Sequence, residues 1–124
     1  MMKLQESGED YLESILKIEQ KKGTVRSVDV ANDLQVSKPS VSRAIHVLED
    51  EGLLSMDENA RLILTEKGRA IAEKIYERHI LFTRFFIQLG VDEQVAAVDA
   101  CRMEHTLSDE TFAALKEFIE THLT

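Results

Sequence analysis

The order of apolar and polar positions predicts a chain built mainly of helices. Apolar residues recur at helical spacing from Tyr11 to Ile18, which is typical of a helix with one buried face. Two further segments, Val28–Leu34 and Ser37–Leu48, show the same spacing and are separated by a tight turn at Gln35–Val36. Pro39 falls in the first turn of the later helix, where its missing N–H removes no hydrogen bond.

Residues that favour helix caps mark where the first two helices begin. Ser7 is predicted to open the first helix, and Ser27 to cap the second. Asp10 follows Ser7 at the spacing of a capping box, so its carboxylate has a purely structural interpretation as an acceptor for a backbone N–H. That interpretation stays open beside any chemical role for Asp10.

The segment after Gly52 predicts a β-hairpin. Two apolar runs, Leu54–Met56 and Arg61–Leu64, flank the polar turn Asp57–Ala60. Two short helices joined by a tight turn, the second with an exposed polar and basic face, form a helix-turn-helix pattern. The two helices alone could be an ordinary helical hairpin, but with the β-hairpin they predict a winged helix.

The second half of the chain predicts three more helices. Thr65 caps a long helix that runs to about Leu89, and so much of its circumference is apolar that we expect part of it to face another subunit. Asp92 begins the next helix, which we expect to continue through Leu107, and Ser108 caps the last. The predicted fold is mainly α with a small β-wing, in two domains, residues 1–64 and 65–124.

Composition narrows the class of protein. No apolar run approaches the length of a membrane span, and Met1–Gln5 shows no leader, so we expect a cytoplasmic protein that is neither membrane-spanning nor secreted. A single cysteine fits a reducing compartment. The net charge of −8 argues against nucleic-acid binding. The charge is uneven, however, because Lys21–Leu48 has a local net charge of +3 and the residues beyond Val91 have a net charge of −6.

Three potential metal ligands cluster near residue 100. Cys101, Glu104 and His105 have the i, i+3, i+4 spacing that brings side chains to one face of a helix. Thiolate, carboxylate and imidazole are all donors for divalent transition metals. The alternative is a buried cysteine beside a solvated Glu-His pair. His79 lies on the apolar stripe of the long helix, where a lone histidine is more often a core residue than a ligand.

Five segments of the chain resemble the metal-dependent repressors that include the diphtheria toxin repressor, the iron-dependent regulators and the manganese transport regulator. The segments cover nearly the whole chain. They are Glu9–Glu13, Pro39–Ser42, Leu64–Arg69, Glu77–His79 and Ala100–Glu110.

This resemblance implies a homodimeric transcriptional repressor that binds double-stranded operator DNA when it holds a divalent metal. Residues 65–124 would then be a metal-binding and dimerisation domain, and the regulated genes would serve metal-ion homeostasis. Fe²⁺ or Mn²⁺ is the expected metal, with Zn²⁺, Co²⁺ or Ni²⁺ as substitutes in vitro. We do not expect the protein to be an enzyme, to bind a membrane or to act on a small organic substrate.

Carried over residue by residue, the resemblance implies two metal positions. The primary site would use Asp10, Cys101, Glu104 and His105, and a second position would use Glu13 and His79. Asp10 matches the manganese type of the family, whereas Cys101 matches the iron type. Thr83 and Ala97 occupy places that supply ancillary ligands in the iron type, so that form of second site is not expected. The SH3-like domain of longer members is expected to be absent, because the chain stops at Thr124.

The predicted DNA contacts lie on the helix-turn-helix and the wing. Arg43 is the best candidate for a base contact, because its guanidinium fork matches guanine O6 and N7. Pro39 and Ser40 would contact a thymine methyl group and a phosphate. The full set is Arg26, Ser37, Lys38, Pro39, Ser40, Ser42, Arg43 and Arg61.

Two other classes of protein remain as alternatives. A winged-helix regulator that needs no metal would leave Cys101 as a redox or packing residue. A small metalloenzyme would use Cys101, Glu104 and His105 for catalysis, but the sequence has no Gly-rich loop, nucleophile elbow or His-Glu-x-x-His segment.

Overall fold

The computed structural model describes residues 6–122. Within that range the fold is mainly helical with one two-stranded antiparallel sheet, which confirms the predicted fold class. The expectations about a leader at Met1–Gln5 and about the end of the chain at Thr124 concern residues outside this range. The elements are α1 (Glu6–Lys22), α2 (Ser27–Leu34), α3 (Lys38–Asp50), β1 (Leu54–Met56), β2 (Leu62–Leu64), α4 (Glu66–Gln88), α5 (Glu93–Met103) and α6 (Asp109–His122).

The chain divides into two compact units, Met1–Glu73 and Lys74–Thr124, and the boundary falls inside α4. No helix among residues 6–122 is both long and apolar enough to cross a lipid bilayer.

The first unit is a three-helix cluster closed by the hairpin. Leu12, Leu16, Val41 and Leu48 are almost completely buried at its centre, as expected for the apolar faces of amphipathic helices. Gln35 ends α2 in the left-handed conformation, at φ 57°, and so makes the tight turn between α2 and α3.

Two of the predicted helix starts differ in detail. Ser7 is a helical residue of α1 rather than its opening cap, because the helix already includes Glu6. The N-cap of α2 is Arg26 and not Ser27, since the backbone N–H of Arg26 donates to the Asp29 carboxylate at 2.9 Å. In α3, Pro39 lies in the first turn as predicted, and Ser37 is the N-cap.

The hairpin has the predicted turn and first strand, and its second strand begins at Leu62 rather than at the predicted Arg61. Leu54 pairs with Leu64 and Met56 with Leu62. In the turn, Asp57 Oδ1 accepts from the backbone N–H groups of Asn59 and Arg61, both at 2.9 Å. These hydrogen bonds, with that from Arg61 the stronger influence, lower the pKa of the Asp57 carboxyl.

The second unit has its own apolar core around Phe82. Leu81, Ala100, Phe112 and Ile119 are buried with it, and the rings of Phe82 and Phe112 meet edge to face with centroids 5.8 Å apart. Leu89, where the long helix was predicted to end, lies directly after α4 and is 63% exposed.

Helix α5 is shorter than the sequence pattern predicts. Its last helical residue is Met103, Glu104 is the C-cap, and the chain then turns before α6 begins at Asp109. Competing hydrogen bonds explain the early end, because both the backbone N–H and the hydroxyl of Thr106 donate to the Met103 carbonyl. The expectation that this helix continues through Leu107 is therefore wrong, and Glu104 and His105 belong to the turn that follows it.

Candidate metal centre

The end of α5 brings three predicted ligands together. Cys101 Sγ, a carboxylate oxygen of Glu104 and a ring nitrogen of His105 lie within 4.8 Å of one another. Cys101 is exposed, whereas Glu104 is fully buried and the His105 side chain is only 2% exposed. Although Glu104 and His105 follow the last helical residue, Glu104 keeps a right-handed helical conformation, so the i, i+3, i+4 grouping survives the end of the helix.

The Glu104 carboxylate lies between two imidazole rings. His79 Nδ1, from α4, is 3.0 Å from Glu104 Oε2, and His105 Nε2 is 3.4 Å from Glu104 Oε1. A buried carboxylate costs free energy unless polar groups surround it, and these rings supply such groups. A carboxylate in contact with imidazoles is also the arrangement that orients histidines around metal ions.

The donor chemistry of this cluster fits a divalent transition metal. Metal–ligand distances of about 2.0–2.3 Å place two donors on one ion no more than about 4.5 Å apart. Cys101, Glu104 and His105, with ligand atoms within 4.8 Å, need only small side-chain rotations to reach that spacing. An ion could therefore be held by residues of the second unit together with further ligands.

The remaining predicted ligands lie on α1, in the first unit. Asp10 and Glu13 are separated by three positions in the helix, so their side chains project from the same face. Asp10 is partly exposed and Glu13 is 5% exposed. A buried glutamate is unusual, because carboxylates are rarely buried without a polar environment.

The predicted DNA contacts lie on exposed parts of the first unit. Arg43 projects from α3 and donates from Nη2 to Ser40 Oγ at 3.3 Å. The Ser37 hydroxyl also donates to Ser40 Oγ, at 2.9 Å. Seven of the eight predicted DNA-binding residues are exposed and Ser40 is partly buried; the seven are Arg26, Ser37, Lys38, Pro39, Ser42, Arg43 and Arg61.

Sequence reasoning missed two polar groups next to the predicted ligands. Ser14 follows Glu13 on α1 and is fully buried, and Arg78 precedes His79 on α4 and is 3% exposed. The only signal for either in the sequence was its position beside a candidate ligand. Burial of a serine or an arginine depends on residues far along the chain, so spacing alone did not distinguish them from surface residues.

A winged helix-turn-helix joined to a helical unit with clustered metal donors defines the class of metal-dependent, DNA-binding transcriptional regulators. Comparison with known families agrees with this class. Residues 3–60 match the N-terminal DNA binding domain of the iron dependent repressors, and residues 65–123 match their metal binding and dimerisation domain. The chain belongs to the iron-dependent repressor family, whose members are transcriptional regulators and not enzymes.

Individual relatives are similar over most of this chain. It is 36% identical to the transcriptional regulator MntR of Escherichia coli over 92% of its own length and 74% of that protein. It is 34% identical to an uncharacterised HTH-type transcriptional regulator of Methanocaldococcus jannaschii, over 94% and 95% of the two chains. The solved structure of the manganese regulator SloR superposes with a TM-score of 0.81 at 30% identity, covering 91% of this chain. The chain spans about half of SloR, 53% of its length.

Proposed function

We propose that this protein is a divalent-metal-dependent repressor that binds double-stranded operator DNA as a homodimer and controls genes of metal-ion homeostasis. The observation that carries the proposal is the convergence of Cys101, Glu104 and His105 at the end of α5, with His79 against Glu104. This cluster falls in the part of the chain that matches the family's metal binding and dimerisation domain.

In this proposal the primary metal site consists of Asp10, Cys101, Glu104 and His105, and Glu13 and His79 form a second position. The functional division falls between residues 64 and 65, so that α1 carries ligands for a metal whose other ligands belong to the helical domain. A metal held in this way would supply a positive charge and a cross-link between α1 and α5. Asp10 and Glu13 would repel the carboxylate of Glu104 without it, which favours a looser apo protein.

The DNA-binding role of the first unit rests on its exposed basic and hydroxyl groups. Arg43 would contact a base edge, while Arg26, Lys38 and Arg61 would bind backbone phosphates. Pro39 and Ser40 would contact a thymine methyl group and a phosphate, with Ser37 and Ser42 beside them. Because the whole chain is acidic, these local contacts must overcome a general repulsion from DNA, and neutralisation of carboxylates by a cation favours binding.

The ligand set favours Fe²⁺ or Mn²⁺, with Zn²⁺, Co²⁺ or Ni²⁺ able to replace them in vitro. Carboxylates such as Asp10 suit Mn²⁺, whereas the Cys101 thiolate and the imidazoles suit Fe²⁺ and Zn²⁺. SloR, a similar protein, is a manganese regulator. We further propose that the protein acts in the cytoplasm, with neither a membrane nor a small organic substrate as partner.

Metal titration of chelator-treated protein tests the proposal. Operator sequences are first selected from random duplex DNA with metal-loaded protein, and binding is then followed as Mn(II), Fe(II), Zn(II) or Co(II) is added. We expect at least one metal to raise operator affinity about tenfold or more, within the usual range of allosteric coupling. In Cys101→Ala the response to Zn(II) and Co(II) should fall more than the response to Mn(II), because only the softer ions favour thiolate.

The same titration distinguishes the proposed metal-dependent repressor from a winged-helix regulator that needs no metal. If apo protein binds the operator as tightly as loaded protein, and Cys101→Ala behaves like wild type, metal dependence is wrong and Cys101 is a packing or redox residue.

A further inference from the structure

Arg78 makes a set of contacts that the proposed metal site does not by itself require. Its side chain is 4% exposed on α4, and its guanidinium carbon lies 5.0 Å from the centre of the Phe112 ring. Nη1 donates to the backbone carbonyls of Glu104 and Leu107, at 3.1 and 2.7 Å, and Nη2 donates to the Asp109 carboxylate at 2.8 Å. One buried guanidinium therefore holds the whole turn from the end of α5 to the start of α6.

One of the two bonded carbonyls, that of Glu104, is a group that helix α5 itself leaves unsatisfied. The last carbonyls of an α-helix have no intrahelical donor, and Glu104 is the C-cap of α5. A charged donor makes a stronger hydrogen bond than a neutral one, and the planar fork of arginine can serve several acceptors in fixed directions. Arg78 thus fixes the backbone of the turn that carries two proposed ligands, Glu104 and His105.

Adjacent residues of α4 act on the same glutamate in different ways. Arg78 binds the backbone carbonyl of Glu104, and His79 contacts its carboxylate at 3.0 Å. Together they determine both where the backbone lies and where the side chain points. Ligands that are already oriented lose less conformational entropy when they bind, so such an arrangement raises metal affinity.

We propose that Arg78 is a positioning residue of the metal site, which pre-forms the Glu104–His105 half of the ligand set without contacting the ion. This inference rests on the proposed function, because it concerns the same site. It assigns Arg78 a role in metal affinity and coordination geometry beyond its contribution to folding.

Two substitutions remove these contacts to different extents. Arg78→Lys keeps the positive charge but loses the fork, so that a single ammonium group cannot serve Glu104, Leu107 and Asp109 together. Asp109→Asn leaves both carbonyl hydrogen bonds and weakens the ion pairs that Asp109 forms with Arg78 and with Lys74. Lys74→Met is the matched control for the second variant, because Lys74 pairs with the same carboxylate at 2.8 Å.

A second control breaks another link between α4 and α6. Lys116 forms an ion pair with Glu77, the residue before Arg78, and neither residue bonds the turn. Lys116→Met therefore reports the effect of loosening the helices without releasing Glu104 and His105.

The experiment measures Co(II) and Mn(II) dissociation constants, the visible absorption spectrum of the Co(II) protein and the apo unfolding temperature of every variant. We expect Arg78→Lys to weaken metal binding about 10- to 100-fold, as loss of a residue that orients ligands usually does, and to shift the Co(II) bands. Asp109→Asn should weaken binding more than Lys74→Met. Lys116→Met should change the dissociation constant less than about twofold, as expected for an exposed ion pair.

The outcomes distinguish this inference from the function on which it rests. If wild-type protein binds neither ion, the proposed metal site itself is wrong. If wild type binds metal and both Arg78→Lys and Asp109→Asn keep its affinity and Co(II) spectrum, whatever their unfolding temperatures, the positioning role is wrong. Should Arg78→Lys fail to fold, the comparison of Asp109→Asn with Lys74→Met decides alone, and equal affinities overturn the inference.

Discussion

The hydroxyl of Ser14 donates a 2.7 Å hydrogen bond to Asp33 Oδ2 and so joins α1 to α2. Ser14 is completely buried, and it immediately follows Glu13 on α1. Helix α1, which is proposed to carry metal ligands, is therefore hydrogen-bonded to the helix-turn-helix through the residue that follows Glu13. Movement of α1 on metal binding would reach α2 through this contact as well as through apolar packing.

Replacing Ser14 with alanine should destabilise the protein. The hydrogen bond has an ionised acceptor and its donor Ser14 is completely buried, so we expect a decrease of about 1.5–3 kcal/mol in the free energy of unfolding. Urea unfolding of the apo protein measures it. Lys17→Met is the control, because the partly exposed Lys17 contacts the same carboxylate only at 3.8 Å and should contribute less than about 1 kcal/mol. Equal losses in the two variants would contradict the importance of the buried hydroxyl.

Local sequence signals were enough to predict most element boundaries. The starts of α3 and α5 are examples, because Pro39 and Asp92 favour a helix start through their own backbone geometry and hydrogen bonds. Such signals depend only on neighbouring residues and can be recognised in the sequence. The wing was predictable for the same reason, because a short polar turn between two apolar runs leaves few alternatives.

What the sequence did not reveal depends on contacts between distant residues. Helix α5 ends at Met103, and the carbonyl of the following residue, Glu104, accepts a hydrogen bond from Arg78. Arg78 lies 26 positions before Glu104 in the sequence. The helical spacing of Cys101, Glu104 and His105 predicted their grouping, but the buried guanidinium that holds two of them could not be inferred from spacing. Ser14 was hidden in the same way, because its partner Asp33 lies 19 positions away.

At Gly68, helix α4 lies close against the backbone of Leu53. A Cβ atom there would lie 1.9 Å from the Leu53 carbonyl oxygen, and backbone atoms cannot move aside as a flexible side chain can. Alanine normally favours a helix by about 1 kcal/mol over glycine. We nevertheless expect Gly68→Ala to lower the free energy of unfolding by about 2 kcal/mol or more, because overpacking outweighs helix propensity. Thermal unfolding checks this, with Lys67→Ala, at the exposed preceding position, as a control expected to be neutral or slightly stabilising.

Asp29 should make stability depend on pH in the acid range. Its carboxylate accepts hydrogen bonds from Lys22 and from the backbone of Arg26, and these, with that from Lys22 the stronger, lower the pKa of Asp29 from 3.8. A carboxyl group with a depressed pKa contributes stability that is present above 3.8 and is lost as the pH falls through its lowered value.

We expect Asp29→Asn to cost about 1 kcal/mol at pH 7, as loss of a helix-capping carboxylate does, and the difference from wild type to narrow as the pH falls below 3.8. Urea midpoints measured from pH 7 downward test this. Glu58→Gln, which removes one exposed carboxyl from the turn of the hairpin, controls for the change in net charge. A difference that stays constant across the range would show that protonation of Asp29 is not responsible.

Arg43 and Arg61 should differ in the kind of DNA binding they support. Arg43 lies on the exposed face of α3, where its guanidinium reaches Ser40, and a base contact from this position would be specific for one base pair. Arg43→Ala should therefore weaken binding to the selected operator by about 1–3 kcal/mol and relax the preference at that single position. Arg61→Ala, on the wing, should weaken binding to all DNA sequences alike. It should also reduce the slope of log affinity against log salt concentration by about one. Competition gel shifts with single-base operator variants measure both effects, and an equal loss on every sequence for Arg43→Ala would assign it to a phosphate instead.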